Sequence, residues 1–155
     1  MAAVVSAGIN GMDLGEALNL GQQFAQQAEG HGHWVAGGRI ASRISWARSI
    51  SVDSDKALLA DVLYDVIGTS VASQESVVVS FALAQQVAIG EMNAFDALCM
   101  AASLGGDTDT IAAILGAMLG ACLGLEIWPV EMIDKVKVVN DLELEPLVTG
   151  LLDLR

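Results

Sequence analysis

From Ile111 to Leu125 the chain reads IAAILGAMLGACLGL, a stretch with no charged side chain and with glycines at 116, 120 and 124. Such a segment is stable in water only when neighbours cover it on every side. Its alanines and glycines let those neighbours come close. It falls short of the roughly 20 apolar residues that a membrane crossing needs, and it begins directly behind Asp107 and Asp109. The reading is a core helix and no membrane span, with another helix expected at close range on the Gly116, Gly120 and Gly124 face.

The rest of the chain supports one all-α domain over residues 1–155. Hydrophobic residues make up 54% of the chain and charged ones 17%, which excludes disorder. Two prolines against 16 glycines, with 5% aromatic residues, suit closely packed helices better than a sheet sandwich. Spacing predicts a helix from Ala2 to Asn10, a second from the N-cap Asp13 to about Glu29, and a third from Trp34 that turns Val35, Ile40, Ile44 and Ala47 inward. Asp53 or Ser54 caps a fourth, which ends at Gly68. The β-branched start of Ser76–Gly90 permits a strand, but its alanine-rich continuation favours a helix. Asn93 caps a helix over 94–103, the apolar helix starts near Asp109, and Pro129 opens a further short helix. A final segment begins at Asn140 or Asp141.

Seven basic against 19 acidic residues leave a net charge of −12, so nucleic acid is not an expected partner. Cys99 and Cys122 sit in apolar helical patterns without metal-ligand spacing, which points to buried free thiols in a reducing compartment. The first residues carry no basic n-region. A cytoplasmic location is expected.

The chemistry is concentrated in Gly105-Gly106-Asp107-Thr108-Asp109-Thr110. Two glycines allow a sharp turn that holds both carboxylates at the mouth of the apolar helix. Asp107, Asp109 and Thr110 offer oxygen ligands only, the set that hard cations such as Mg²⁺ or Mn²⁺ prefer. The plainer alternative is that both aspartates cap the helix and answer its dipole. One aspartate suffices for that, and dense negative charge beside a core usually has a cation as its counterpart.

This segment resembles the C-terminal motif of the ADP-ribosylglycohydrolase family, G-G-D-x-D-T running into an Ala/Gly-rich helix. A looser similarity covers Trp34-Val35-Ala36-Gly37 and Glu75-Ser76-Val77. The resemblance implies a compact multi-helix orthogonal bundle, two Mg²⁺ or Mn²⁺ ions, and hydrolysis of the glycosidic bond to ADP-ribose. It makes Asp107, Asp109 and Thr110 metal ligands and lets Gly105 and Gly106 approach the sugar; no residue of the chain is assigned a catalytic role. Members of that family complete the site with a T-D-D motif in an N-terminal half. No such motif and no adjacent pair of aspartates occurs here. The resemblance therefore implies the C-terminal half alone, and a homo-oligomer or a complementary N-terminal half as partner beside ADP-ribose or an ADP-ribosylated substrate. The rival reading is a catalytically incomplete half-domain that acts as an assembly or binding module.

Other signals carry less. His31-x-His33 lies between glycines with no neighbouring carboxylate or thiolate, as in a solvated loop. Gly30-x-Gly32 lacks the third glycine of a dinucleotide fingerprint. Arg39, Arg43 and Arg48 read as a solvated face or as partners of the many carboxylates. Glu75 either lines a pocket or answers a helix dipole, and Glu143 and Glu145 are surface charges.

Overall fold

Polar caps punctuate the apolar runs, and the described residues of the computed structural model, 1–33, 36–53 and 56–154, form helices and no strand. In order these are α1 (Ala2–Ile9), α2 (Leu14–Gln27), α3 (Ile40–Asp53), α4 (Lys56–Asp61), α5 (Ser73–Ala88), α6 (Ala94–Ser103), α7 (Thr108–Leu123), α8 (Val130–Asn140) and α9 (Glu145–Leu152). None of them is long and apolar enough to cross a membrane. Asp13 caps α2 through Gly15 N–H at 2.8 Å, and Asn93 caps α6 through Asp96 N–H at 2.8 Å. These two caps stand where the sequence places them.

The third helix starts at Ile40, later than the sequence suggests. Ala36 to Arg39 are non-helical, since Gly37 and Gly38 are poor helix formers. Trp34, Val35 and Ser54 lie outside the described residues, and Asp53 is the last residue of α3. After α4 the chain widens into a π-helical turn over Val62–Ile67, closed by Gly68 N–H on the Leu63 carbonyl at 3.0 Å. The turn buries Leu63 and Ile67 and leaves Tyr64 and Val66 outside.

Helix α5 is the hub. Every residue from Val78 to Ala84 is buried, and α2, α3, α6 and α7 all pack on it. A helix surrounded in this way needs internal partners for its polar groups. The Ser80 hydroxyl lies 2.8 Å from the Ser76 carbonyl and 3.1 Å from that of Ile111, tying α5 to the first turn of α7. Gln86 Nε2 donates to the Ser51 carbonyl of α3 at 2.6 Å. Arg48 reaches across to Gln85, Gln22 and Asn19 at 2.8, 3.1 and 2.9 Å, so it is a clamp between helices and no member of a solvated face.

The close helix contact on α7 is made by a different glycine from those expected. Gly116 faces a Leu98 methyl, Gly120 faces Trp128, and Gly124 ends the helix at φ +84°. The tight approach is at Gly8 of α1, where an added Cβ would lie 2.8 Å from the Ala121 carbonyl carbon and oxygen. Alanine in place of a helical glycine normally stabilises by about 0.5–1 kcal/mol. At Gly8 the backbone of α7 blocks the methyl, and overpacking of about 1–3 kcal/mol reverses the sign. At Gly116 the nearest atom would be 3.7 Å away, an ordinary contact. Denaturant titration should therefore show Gly8→Ala less stable than the parent and Gly116→Ala more stable.

Cys122 is half-buried on α7, with its thiol pKa raised by burial and then by the Asp13 carboxylate. Cys99 is exposed on the outer side of α6, against the expectation of two buried thiols. The apolar pattern of α6 buries Ala94, Ala97 and Ala101 and leaves position 99 between them facing out. Helices α8 and α9 bury no residue at all. Asp141, left-handed at φ +52°, turns the chain between them, and Lys137 pairs with Glu145 at 3.4 Å.

Candidate metal centre

The mouth of α7 is built from three segments. Gly105 and Gly106, at φ +90° and +72°, make the turn that only glycine enters freely. The turn lies against the π-helical segment and the loop after it: a Cβ on Gly105 would be 3.2 Å from the Tyr64 ring, and one on Gly106 would run onto the Thr69 carbonyl oxygen. Asp107 N–H donates to that carbonyl at 2.7 Å, so the loop at Thr69 and the turn at Gly106 are joined through their backbones.

The Thr69 loop is braced in turn. Arg43 of α3 donates through Nε to the Gln74 carbonyl and through Nη2 to the Ile67 carbonyl, both at 2.7 Å, and so clasps the loop at both ends. Glu75 Oε2 accepts the Ser70 N–H at 2.8 Å. Hydrogen bonds from Ser70 hold the Glu75 carboxyl below its usual pKa, with a smaller contribution from the Arg43 charge. Glu75 stands in the first turn of α5, as the dipole reading has it, and its carboxylate also closes the loop.

On this frame Asp107, Asp109 and Thr110 converge. Thr110 Oγ1 donates to Asp107 Oδ1 at 3.0 Å, and Thr110 N–H donates to Asp109 Oδ1 at 2.9 Å. The Asp109 carboxyl is held below the usual carboxylate range, first by a hydrogen bond shared with the Asp107 side chain and then by the Thr110 amide. Asp107 occupies the N-cap position of α7, yet its side chain makes no capping hydrogen bond to the helix. Asp109 and Thr110 are exposed and Asp107 is half-buried. The ion pairs among the described residues join Arg39 to Glu29 and Lys137 to Glu145, and neither involves this cluster.

The family model of the ADP-ribosylglycohydrolases matches the chain from residue 1 to residue 155. The chain belongs to the ADP-ribosylglycohydrolase family. Among curated proteins it is 29% identical over 156 residues to the uncharacterized protein YegU of Escherichia coli (strain K12), a match that takes in 100% of this chain and 46% of that protein. The chain thus spans about half the length of that relative. No solved structure matches it.

In this member of the ADP-ribosylglycohydrolase family, residues Gly105 to Thr110 form one continuous turn and helix start on which Asp107, Asp109 and Thr110 come together. His31 and His33 lie exposed in the loop after α2, and Glu145 is at the surface in its pair with Lys137. Sequence reasoning passed over Tyr64 and Thr69 and read Arg43 as a solvated charge or a carboxylate partner, whereas Arg43 donates to two loop carbonyls and with the other two holds the turn in place. Arg43 alone left a signal, since it adjoins the inward Ile44 on α3.

Proposed function

We propose that this chain supplies one side of a metal-dependent site that hydrolyses the glycosidic bond to ADP-ribose. Asp107, Asp109 and Thr110 hold Mg²⁺ or Mn²⁺, and Gly105 and Gly106 lie next to the sugar. The observation that carries the reading is the Asp107 side chain. It sits at an N-cap without capping, unlike Asp13 and Asn93, and turns toward Thr110 and Asp109 instead. Two carboxylates so close together, unpaired with a cation-bearing side chain among the described residues, suit a divalent ion.

The donor chemistry fits, in part. Among the described residues no group of three or more His, Cys, Asp or Glu comes together to hold a metal. Two carboxylates and a hydroxyl are one side of a binuclear site, and the complementary ligands come from another polypeptide segment. Hydrolysis breaks the bond between the anomeric carbon and the acceptor atom, the water hydroxyl going to the sugar and a proton to the acceptor. When bound, the metal supplies charge stabilisation to the sugar oxygens and the attacking water. The chain's own residues hold that ion and fix its position relative to the sugar, through a turn that Thr69 and Arg43 keep rigid. A cytoplasmic, reducing setting suits the two free thiols.

The second reading, a binding module without catalysis, draws on the same incompleteness: 46% coverage of YegU and a partial ligand set. Release of ADP-ribose from ADP-ribosylated arginine and serine peptides, followed with Mn²⁺, with Mg²⁺ and with chelator, separates the two. Metal-dependent release establishes the hydrolase. Metal binding without release, alone and after mixing with the part of YegU outside the match, assigns the chain to the binding module.

A further inference from the structure

We infer that the ring of Tyr64 is the surface against which the reacting pentose of the substrate packs. This rests on the metal-site reading above and adds to it a residue that selects for the sugar. Tyr64 lies in the π-helical turn Val62–Ile67, which buries Leu63 and Ile67 in the core and leaves the tyrosine 52% exposed. Wide turns of this kind recur beside functional sites. The ring lies against Gly105, where a Cβ would be 3.2 Å from its Cε2 and 3.7 Å from its Cδ2. Gly105 and Asp107 are two residues apart, which limits their Cα atoms to a separation of about 7 Å. The ring therefore borders the same turn that carries the two aspartates, within the reach of one bound sugar.

The other groups at the mouth of α7 are oxygens. Asp107, Asp109 and Thr110 present carboxylates and a hydroxyl, and the buried Thr69 closes Gly106 with its carbonyl. Such groups engage a cation and sugar hydroxyls, and none of them covers the apolar C–H face of a ribose. An aromatic ring does so, because it takes that face out of water while the hydroxyls at the sugar's edge stay free for polar partners. The missing side chain at Gly105 is what lets the ring come up to the turn, and half of the ring remains free once it is there. The chemistry of ADP-ribose favours the sugar over the base as its occupant. A diphosphate and a second ribose separate the adenine from the reacting pentose, so a group beside the metal ligands meets the pentose first.

Calorimetric titration of ADP-ribose into the full chain at saturating Mg²⁺, with proton NMR of the ligand in the same mixture, tests this on the parent, Tyr64→Phe and Tyr64→Leu. Tyr64→Leu keeps an apolar side chain but no ring, and should weaken ADP-ribose binding about tenfold. Tyr64→Phe should bind as the parent does, and Mg²⁺ affinity should be the same in all three. In the parent and in Tyr64→Phe the ring current should move the protons of the terminal ribose upfield, and in Tyr64→Leu that displacement should vanish. Parent affinity in Tyr64→Leu overturns the inference and leaves the metal-site reading standing, as does an upfield displacement of the adenine protons in place of the ribose ones. A parallel loss of Mg²⁺ affinity in Tyr64→Leu overturns it as well, since the tyrosine is then a support of the turn. A parent that binds Mg²⁺ but no ADP-ribose overturns this inference together with the reading on which it rests.

Discussion

Replacing Asp107 and Asp109 together by asparagine should abolish divalent-cation binding while leaving the helices in place. Asparagine keeps the size of each side chain and its ability to accept the Thr110 hydrogen bonds, so the geometry at the mouth of α7 survives. What disappears is the pair of negative charges. Mutating residues that merely orient a metal ligand typically costs about 10–100-fold in affinity, and removing two ligands outright should cost at least about 100-fold. Calorimetric titration of Mn²⁺ reads the difference, and a thermal melt without metal checks the fold. Because the cluster lies largely at the surface, the metal-free melting temperature of the variant should fall only slightly, by what the two carboxylates contribute at the start of α7. Equal Mn²⁺ affinity in parent and variant would reduce both aspartates to helix-dipole partners.

The second large effect is on stability, at Gly106. Alanine there meets two penalties at once. A left-handed backbone costs an ordinary residue about 1–2 kcal/mol, and the new methyl runs onto the Thr69 carbonyl oxygen, which is fixed by its hydrogen bond to Asp107. Overpacking against backbone adds about 1–3 kcal/mol. A loss of about 3 kcal/mol is expected for Gly106→Ala, which for a chain of this size lowers the melting temperature by about 10 °C. Gly105→Ala is the internal control. It carries the same kind of backbone strain, but its methyl would meet the half-exposed Tyr64 ring, which can swing aside. Its loss should be about half as large. Similar losses for the two variants would mean that backbone strain alone, and not the contact with Thr69, governs the turn.

Helix positions were largely legible because each boundary carries its own local chemistry. Asp13 and Asn93 cap, Gly68 terminates and Pro129 precedes α8, and all of these act within a few residues. The motif from Gly105 to Thr110 could be read for the same reason, since its turn and its ligands are contiguous. What could not be read was contact between distant segments. The spacing of Gly116, Gly120 and Gly124 looks like a helix-packing face, yet whether a neighbour comes close depends on where α1 lies, and α1 brings its own Gly8. Arg43 and Arg48 looked like solvent-facing charges because an exposed arginine and one that clasps loop carbonyls follow the same local pattern. The exposure of Cys99 turned on a single helical step, with alanines inward at 97 and 101.

Two bonds hold the start of α7 in register: Asp107 N–H on Thr69, and the Ser80 hydroxyl beside the Ile111 carbonyl. They lie four residues apart, at the N-cap and in the first turn of α7, and reach two different parts of the chain. One inserted residue between them turns the rest of the helix by roughly 100°, carrying Leu115 and Met118 out of the core or Asp109 away from Asp107. A deletion does the same in the opposite direction. Homologous chains should therefore keep this interval at constant length, and should gain or lose residues in the corners at 124–129 and 141–144, where no such double anchor exists among the described contacts.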